Sequence, residues 1–223
     1  MNHLLSKIGS YPFEKLNLLH KDIKPSKEVI NLSIGEPKLN ADSKVLDILN
    51  KEANSFSNYP PMNAVPELSE AYRQYLKSHF GIKNVAEDEV CLVAGTREGT
   101  FSIIQALFNK ENVKEKPYVV MPNPFYQIYG GATTLAGGEA KFLDCPEEDN
   151  FQPDLDSLKS EDWQKCQILV LCSPNNPTGS VLPLSKLKDI LDLADKYDFY
   201  VVSDECYVDL YTSEKSCPSI LQA

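Results

Sequence analysis

The sequence predicts an α/β fold, a three-layer αβα domain with helices on both faces of a mostly parallel sheet. Three observations predict it. From about residue 88 onward, strand-like and helix-like stretches alternate, the order that parallel sheets require. Residues 167–210 read strand, loop, helix, strand, which is one right-handed βαβ unit. Within that unit, residues 168–172 form a continuous apolar run, as in a strand buried on both faces.

Taken in order, residues 1 to about 30 read as an arm. Leu4, Leu5 and Ile8 suggest a short amphipathic turn, and Phe13, Leu16, Leu18 and Leu19 a helix that stops before Pro25. Residues 30–35 read as a strand running into a turn at Gly35, Glu36 and Pro37, where a glycine lets the main chain approach a ligand closely. In residues 43–54, Val45, Leu46, Ile48 and Leu49 stand in helical array. Pro66 suits the first turn of a helix whose buried face would hold Leu68, Ala71, Tyr72, Tyr75 and Leu76.

Residues 89–94 (EVCLVA) read as a strand. Residues 95–100 (GTREGT) turn it into a helix with Phe101, Ile104 and Leu107 inward. Free N–H groups and the helix dipole make such a turn a ready anion site. It is neither a Walker A loop nor a G-x-G-x-x-G turn, which disfavours a nucleotide-binding oxidoreductase. Residues 118–121 form the next strand, followed by the aromatic segment 122–129 (PNPFYQIY). An aromatic there could stack on a flat ring, and at least one of Phe125, Tyr126 and Tyr129 is expected only to pack the next helix. Residues 137–143 read as turn and strand, and residues 155–163 as a short helix.

Composition sets bounds on function. The 223 residues suit one large domain, and 42% hydrophobic with 24% charged residues is ordinary for a globular protein. A formal net charge of −10 argues against nucleic acid or an anionic membrane as partner. Six cysteines form no C-x-x-C pair, and the start of the chain has no apolar core of secretory length. Reduced thiols in a cytoplasm are therefore expected. No apolar run approaches membrane-spanning length. The three histidines are isolated, and residues 146–149 lack the alternating ligands of a calcium loop, so no metal site is expected.

The βαβ unit carries the chemistry. Its loop, residues 173–179 (SPNNPTG), holds two prolines and a glycine and can continue neither helix nor sheet. Asn175 and Asn176 follow the first strand, and Asp204 and Tyr207 follow the second. In open parallel sheets ligands bind outside the carboxyl ends of strands, so both clusters can converge on one ligand. Asp204 and Glu205 are no glycosidase pair, because adjacent strand residues point to opposite faces.

SPNNPTG followed by residues 203–207 (SDECY) resembles the large domain of the fold-type I, pyridoxal-phosphate-dependent aminotransferases of classes I and II. The resemblance implies a division into residues 1–40, an arm and part of a small domain, and residues 41–223, a cofactor-binding large domain. It implies that Asn176 and Tyr207 reach the phenolic oxygen of pyridoxal 5'-phosphate and that Asp204 pairs with its pyridine nitrogen. It also implies that Thr96 and Arg97 hold the phosphate, that Tyr126 stacks on the ring, and that Gly35 lies beside the substrate carboxylate. Tyr59 would reach the phosphate of a neighbouring subunit in a homodimer. The residue types suit these roles: a carboxylate keeps the ring nitrogen protonated, while a neutral amide and hydroxyl tune the phenolate without adding charge.

The family also needs a lysine for the Schiff base. It follows a strand downstream of the D-x-x-Y motif, and no lysine here stands in such a context. The chain is thus expected to be an N-terminal portion with an incomplete sheet, inactive alone. Residues 10–16 (SYPFEKL), 95–98 (GTRE) and 121–129 (MPNPFYQIY), together with SDECY, look most like the succinyldiaminopimelate aminotransferase branch of lysine biosynthesis. The implied reaction moves an amino group from an amino acid such as glutamate to a keto acid. A carbon–sulfur lyase or an aminocyclopropane-carboxylate-synthase-like enzyme on the same scaffold, or an inactive relative that only binds, are the alternatives.

Overall fold

The computed structural model describes residues 2–9, 11–30, 32, 35, 39–58, 66–111, 117–211 and 216–223. The chain divides into two compact units: Gly9–Val65, and Met1–Ile8 together with Pro66–Ala223.

The larger unit is built on four strands: β1 (Tyr118–Pro122), β2 (Glu139–Leu143), β3 (Cys166–Cys172) and β4 (Tyr200–Asp204). They lie in the order β2-β1-β3-β4, every pairing parallel. Strand β3 is central, and Ile168, Leu169, Val170 and Leu171 are at most 1% exposed, so both of its faces are core. Each large side chain buried this way contributes about 1.5–3 kcal/mol.

Helices cover both faces. The helices are α3 (Pro66–Phe80), α4 (Thr96–Leu107), α5 (Gln127–Ala136), the single turn α6 (Ser160–Trp163) and α7 (Leu184–Tyr197); α1 and α2 belong to the smaller unit. Strand side chains alternate between the layers. Val119, Met121, Ile168 and Val170 meet Ile104 of α4 and Tyr129 and Ala132 of α5. Val120, Leu169 and Leu171 meet Leu187, Ile190 and Ala194 of α7 and Trp163 of α6. The expected three layers are therefore present. Helix α5 ends at Gly137 in the left-handed conformation (φ 87°), and the N–H of Gly138 returns to the Thr133 carbonyl.

Three local expectations give way. Residues 89–94 do not form a strand: Glu87–Glu89 is a 3-10 turn, and Val90, although extended (φ −112°, ψ 114°), pairs with no strand among the described residues. Extended backbone becomes a strand only with a hydrogen-bonded neighbour. On α3 the buried positions are Ser69, Leu76 and Phe80, whereas Leu68 and Tyr72 are exposed. In this helix Leu76 and Phe80 pack against Val208 and Cys217, with Ile82 and Val85 beside them. Residues 155–163 split into a 3-10 turn, Leu155–Ser157, and α6.

The smaller unit holds α1 (Pro12–His20) and α2 (Ser43–Lys51). Pro12 opens α1, and the Asp42 carboxylate caps α2 by accepting the Lys44 N–H at 2.9 Å. Ile30, Leu32 and Gly35, read as strand and turn in the sequence, carry no regular secondary structure.

Candidate cofactor site

Asp204 ends β4, and its two carboxylate oxygens are held separately. The Tyr129 hydroxyl donates to Oδ2 at 2.7 Å, and the Cys206 N–H donates to Oδ1 at 3.2 Å. Two donors, one on each oxygen, fix the plane of the carboxylate. The backbone carbonyl of Asp204 accepts the Ser173 N–H at 3.1 Å, which joins β4 to the start of the SPNNPTG loop. Glu205 turns elsewhere: its Oε1 accepts the Ser203 hydroxyl at 3.0 Å and the Ile220 N–H at 2.8 Å. The neighbouring acids thus serve different elements, as the alternation of side chains along a strand requires.

The loop between β3 and α7 holds its own shape. The buried Ser173 hydroxyl accepts the Leu182 N–H at 3.0 Å. Thr178 Oγ1 accepts both the Asn175 amide, at 3.0 Å, and the Ser180 N–H, at 3.2 Å. Gly179 turns the chain at φ 70°, and its N–H reaches the Asn175 carbonyl at 2.7 Å. Asn175 is thereby spent on the loop, and Asn176 is left exposed at its tip. The Asn176 amide donates to the Tyr207 hydroxyl at 3.4 Å.

Tyr126 stands just before α5. Its hydroxyl accepts from Arg97 Nε at 2.7 Å, the guanidinium lies 6.0 Å from its ring centre, and its ring meets Tyr129 edge-on at 5.7 Å. Arg97 belongs to the first turn of α4. Gly95 enters that helix at φ 114°, a conformation that suits glycine, and no side chain caps it. The N–H groups of Thr96 and Arg97 therefore have no partner within the helix. Thr96 and Asp204 line one cavity of about 790 Å³, with Tyr72, Val93, Thr100 and Val202 also on its wall.

Six residues singled out in the sequence are thus brought together. Arg97 bonds Tyr126, Tyr126 packs on Tyr129, and Tyr129 bonds Asp204. Asp204 shares a cavity wall with Thr96, whereas Arg97, Tyr126, Asn176 and Tyr207 do not line that cavity; Tyr207, three residues after Asp204, bonds Asn176. Gly35 is exposed and belongs to the smaller unit. Tyr59 lies outside the described residues.

The structure adds residues that the sequence did not single out. Tyr129, one of three aromatics of which at least one is expected only to pack, is buried at 1% exposure and also directs its hydroxyl to Asp204. Burial, with the Asp204 carboxylate next, pushes its phenol well above the ordinary value, so it stays a donor. Cys172 and Cys206 flank the same carboxylate. Burial and then Asp204 raise these thiols to about 11 and about 12, which keeps them neutral. The phenol of Tyr207 is raised by burial, and its bond to Asn176 opposes the shift. The only available sequence signal for Tyr129 was its place one helical turn after Tyr126.

Comparison with known proteins points the same way. A family model described as aminotransferase class I and II matches residues 27–222. The solved structure of an aminotransferase from Neisseria meningitidis superimposes with a TM-score of 0.91 at 40% identity, covering 100% of this chain and 56% of that one. Aminotransferase AspB from Helicobacter pylori gives 0.88 at 34% identity, covering 96% and 55%. LL-diaminopimelate aminotransferase 2 of Nostoc sp. is 28% identical over 222 residues, 98% of this chain and 56% of its own. The chain spans about half the length of the relatives it matches. With nearly all of its residues matched by the family model, the chain belongs to the class I and II aminotransferases.

Proposed function

We propose that this chain is the cofactor-binding part of a pyridoxal-phosphate-dependent aminotransferase. The reaction moves an amino group from an amino acid such as glutamate to a keto acid. The motifs read in the sequence favour N-succinyl-2-amino-6-ketopimelate as that acceptor, in lysine and diaminopimelate biosynthesis. Cytoplasmic location and a homodimer are part of the same proposal.

One observation carries the reading. Asp204 sits at the carboxyl end of a parallel strand with each oxygen held by a separate donor. A carboxylate oriented in this way suits a protonated ring nitrogen. The donor set around it also fits the cofactor. Asn176 and Tyr207 offer a neutral amide and hydroxyl for the phenolic oxygen. The uncapped first turn of α4 offers Thr96 and Arg97 N–H groups and the Thr96 hydroxyl for the phosphate. Tyr126 offers an aromatic face. Bound there, pyridoxal phosphate supplies the electron sink for a substrate carbanion. The roles expected of Gly35 and Tyr59 rest on the resemblance alone.

No lysine in these 223 residues stands in the sequence context of the family's Schiff-base lysine. We therefore propose that these 223 residues bind the cofactor without a covalent bond and do not turn over alone. Borohydride reduction in the presence of pyridoxal phosphate, followed by peptide mapping, tests this. No stoichiometric pyridoxyl-lysine within the chain is expected, and one would overturn the claim. In the protein that carries this chain, product formation should require both glutamate and a keto acid. Turnover of an amino acid with no keto-acid requirement would replace transamination by lyase chemistry.

A further inference from the structure

Tyr129 is buried, yet its hydroxyl is aimed at the Asp204 carboxylate. The bond to Asp204 Oδ2 is short, 2.7 Å, and the second oxygen is already taken by the Cys206 N–H. The other groups facing this pair are the thiols of Cys172 and Cys206, both held neutral. The bond from Tyr129 is shorter than the one from the Cys206 N–H. The same ring meets Tyr126 edge-on.

A carboxylate facing a ring nitrogen shares a proton with it, and that proton can rest on nitrogen or on oxygen. A hydrogen bond from a third group to the carboxylate lowers its basicity and leaves the proton on nitrogen. We propose that Tyr129 is a positioning residue: its hydroxyl holds Asp204 Oδ2 in place, so that the proton shared with a bound pyridine nitrogen stays on the nitrogen. The proposal rests on the cofactor reading above. It gives a role to a residue that the periodicity of α5 marks only as core.

The test uses pyridoxal phosphate labelled with 15N at the ring nitrogen, bound to the wild-type protein and to Tyr129→Phe. Phenylalanine keeps the ring and removes the donor. In the wild type the 15N shift is expected to report a protonated nitrogen through neutral pH. In Tyr129→Phe the balance between proton on nitrogen and proton on oxygen should move by about tenfold towards oxygen, the effect of losing one charge-assisted hydrogen bond. The 15N signal should move towards the unprotonated value. Should Tyr129→Phe not fold, 3-fluorotyrosine at position 129 has nearly the same shape and a more acidic phenol. It should move the 15N shift the other way, further towards the protonated value.

Equal cofactor affinity with an unmoved 15N shift in Tyr129→Phe, or a 15N shift moved towards the unprotonated value with 3-fluorotyrosine, would overturn the role of Tyr129 alone. Failure of the wild-type protein to bind pyridoxal phosphate would overturn the cofactor reading, and the proposal with it.

Discussion

Replacing Thr178 by valine keeps the shape of the side chain and removes one oxygen. That oxygen accepts two hydrogen bonds, from the Asn175 amide at 3.0 Å and the Ser180 N–H at 3.2 Å. Both donors are half-buried, so water restores them only in part. A neutral hydrogen bond contributes about 0.5–1.5 kcal/mol net, so losing two should cost about 1–3 kcal/mol. For a domain of this size that corresponds to a fall in Tm of roughly 3–10 °C. The loop also sets Asn176 against Tyr207, so pyridoxal phosphate affinity should fall with stability. Thr178→Ser, which keeps the oxygen, should stay closer to wild type. Thermal melts of the three proteins, with cofactor titrations alongside, check this. A Thr178→Val melt within 1 °C of wild type, with unchanged affinity, would refute the idea that Thr178 organises the loop.

Two further outcomes follow from the packing and the charges. Gly138→Ala places a methyl 2.5 Å from Cζ of the buried Phe108, so the ring must move, and urea unfolding should show a loss of about 1–3 kcal/mol. The Lys141–Asp162 ion pair (2.9 Å) holds the Asp162 carboxyl below its ordinary value, chiefly through the hydrogen bond from Lys141. A depressed carboxylate adds stability that is present above the unfolded-state value and lost as pH falls through the folded one. Asp162→Asn should therefore cost under about 1 kcal/mol at neutral pH, and the deficit should vanish in strong acid. An unchanged deficit there would show that the charge plays no part.

Much of the fold was legible because burial writes itself into the sequence. The apolar run of β3 and the alternating elements after residue 88 gave the layers, and the polar clusters at the ends of β3 and β4 gave the site. What stayed hidden depended on partners distant in the chain. Whether Val90 and its neighbours pair depends on a second strand, not on their own apolar character. The buried face of α3 is chosen by Val208 and Cys217, more than 120 residues away. Tyr129 could be read only as core, since nothing local reveals that its hydroxyl meets Asp204 across 75 positions. The register also sets Cys172 opposite Asp204, a neighbourhood that the sequence alone does not show.

The central claim is that Asp204 and the residues gathered around it hold pyridoxal phosphate. An equilibrium titration with the cofactor, followed by its absorbance, tests this most directly when wild type and Asp204→Ala are compared. The account predicts saturable binding of one cofactor per chain, weakened at least tenfold in Asp204→Ala, with the variant still folded. Equal binding by the two proteins, or no saturable binding by the wild type, would contradict it.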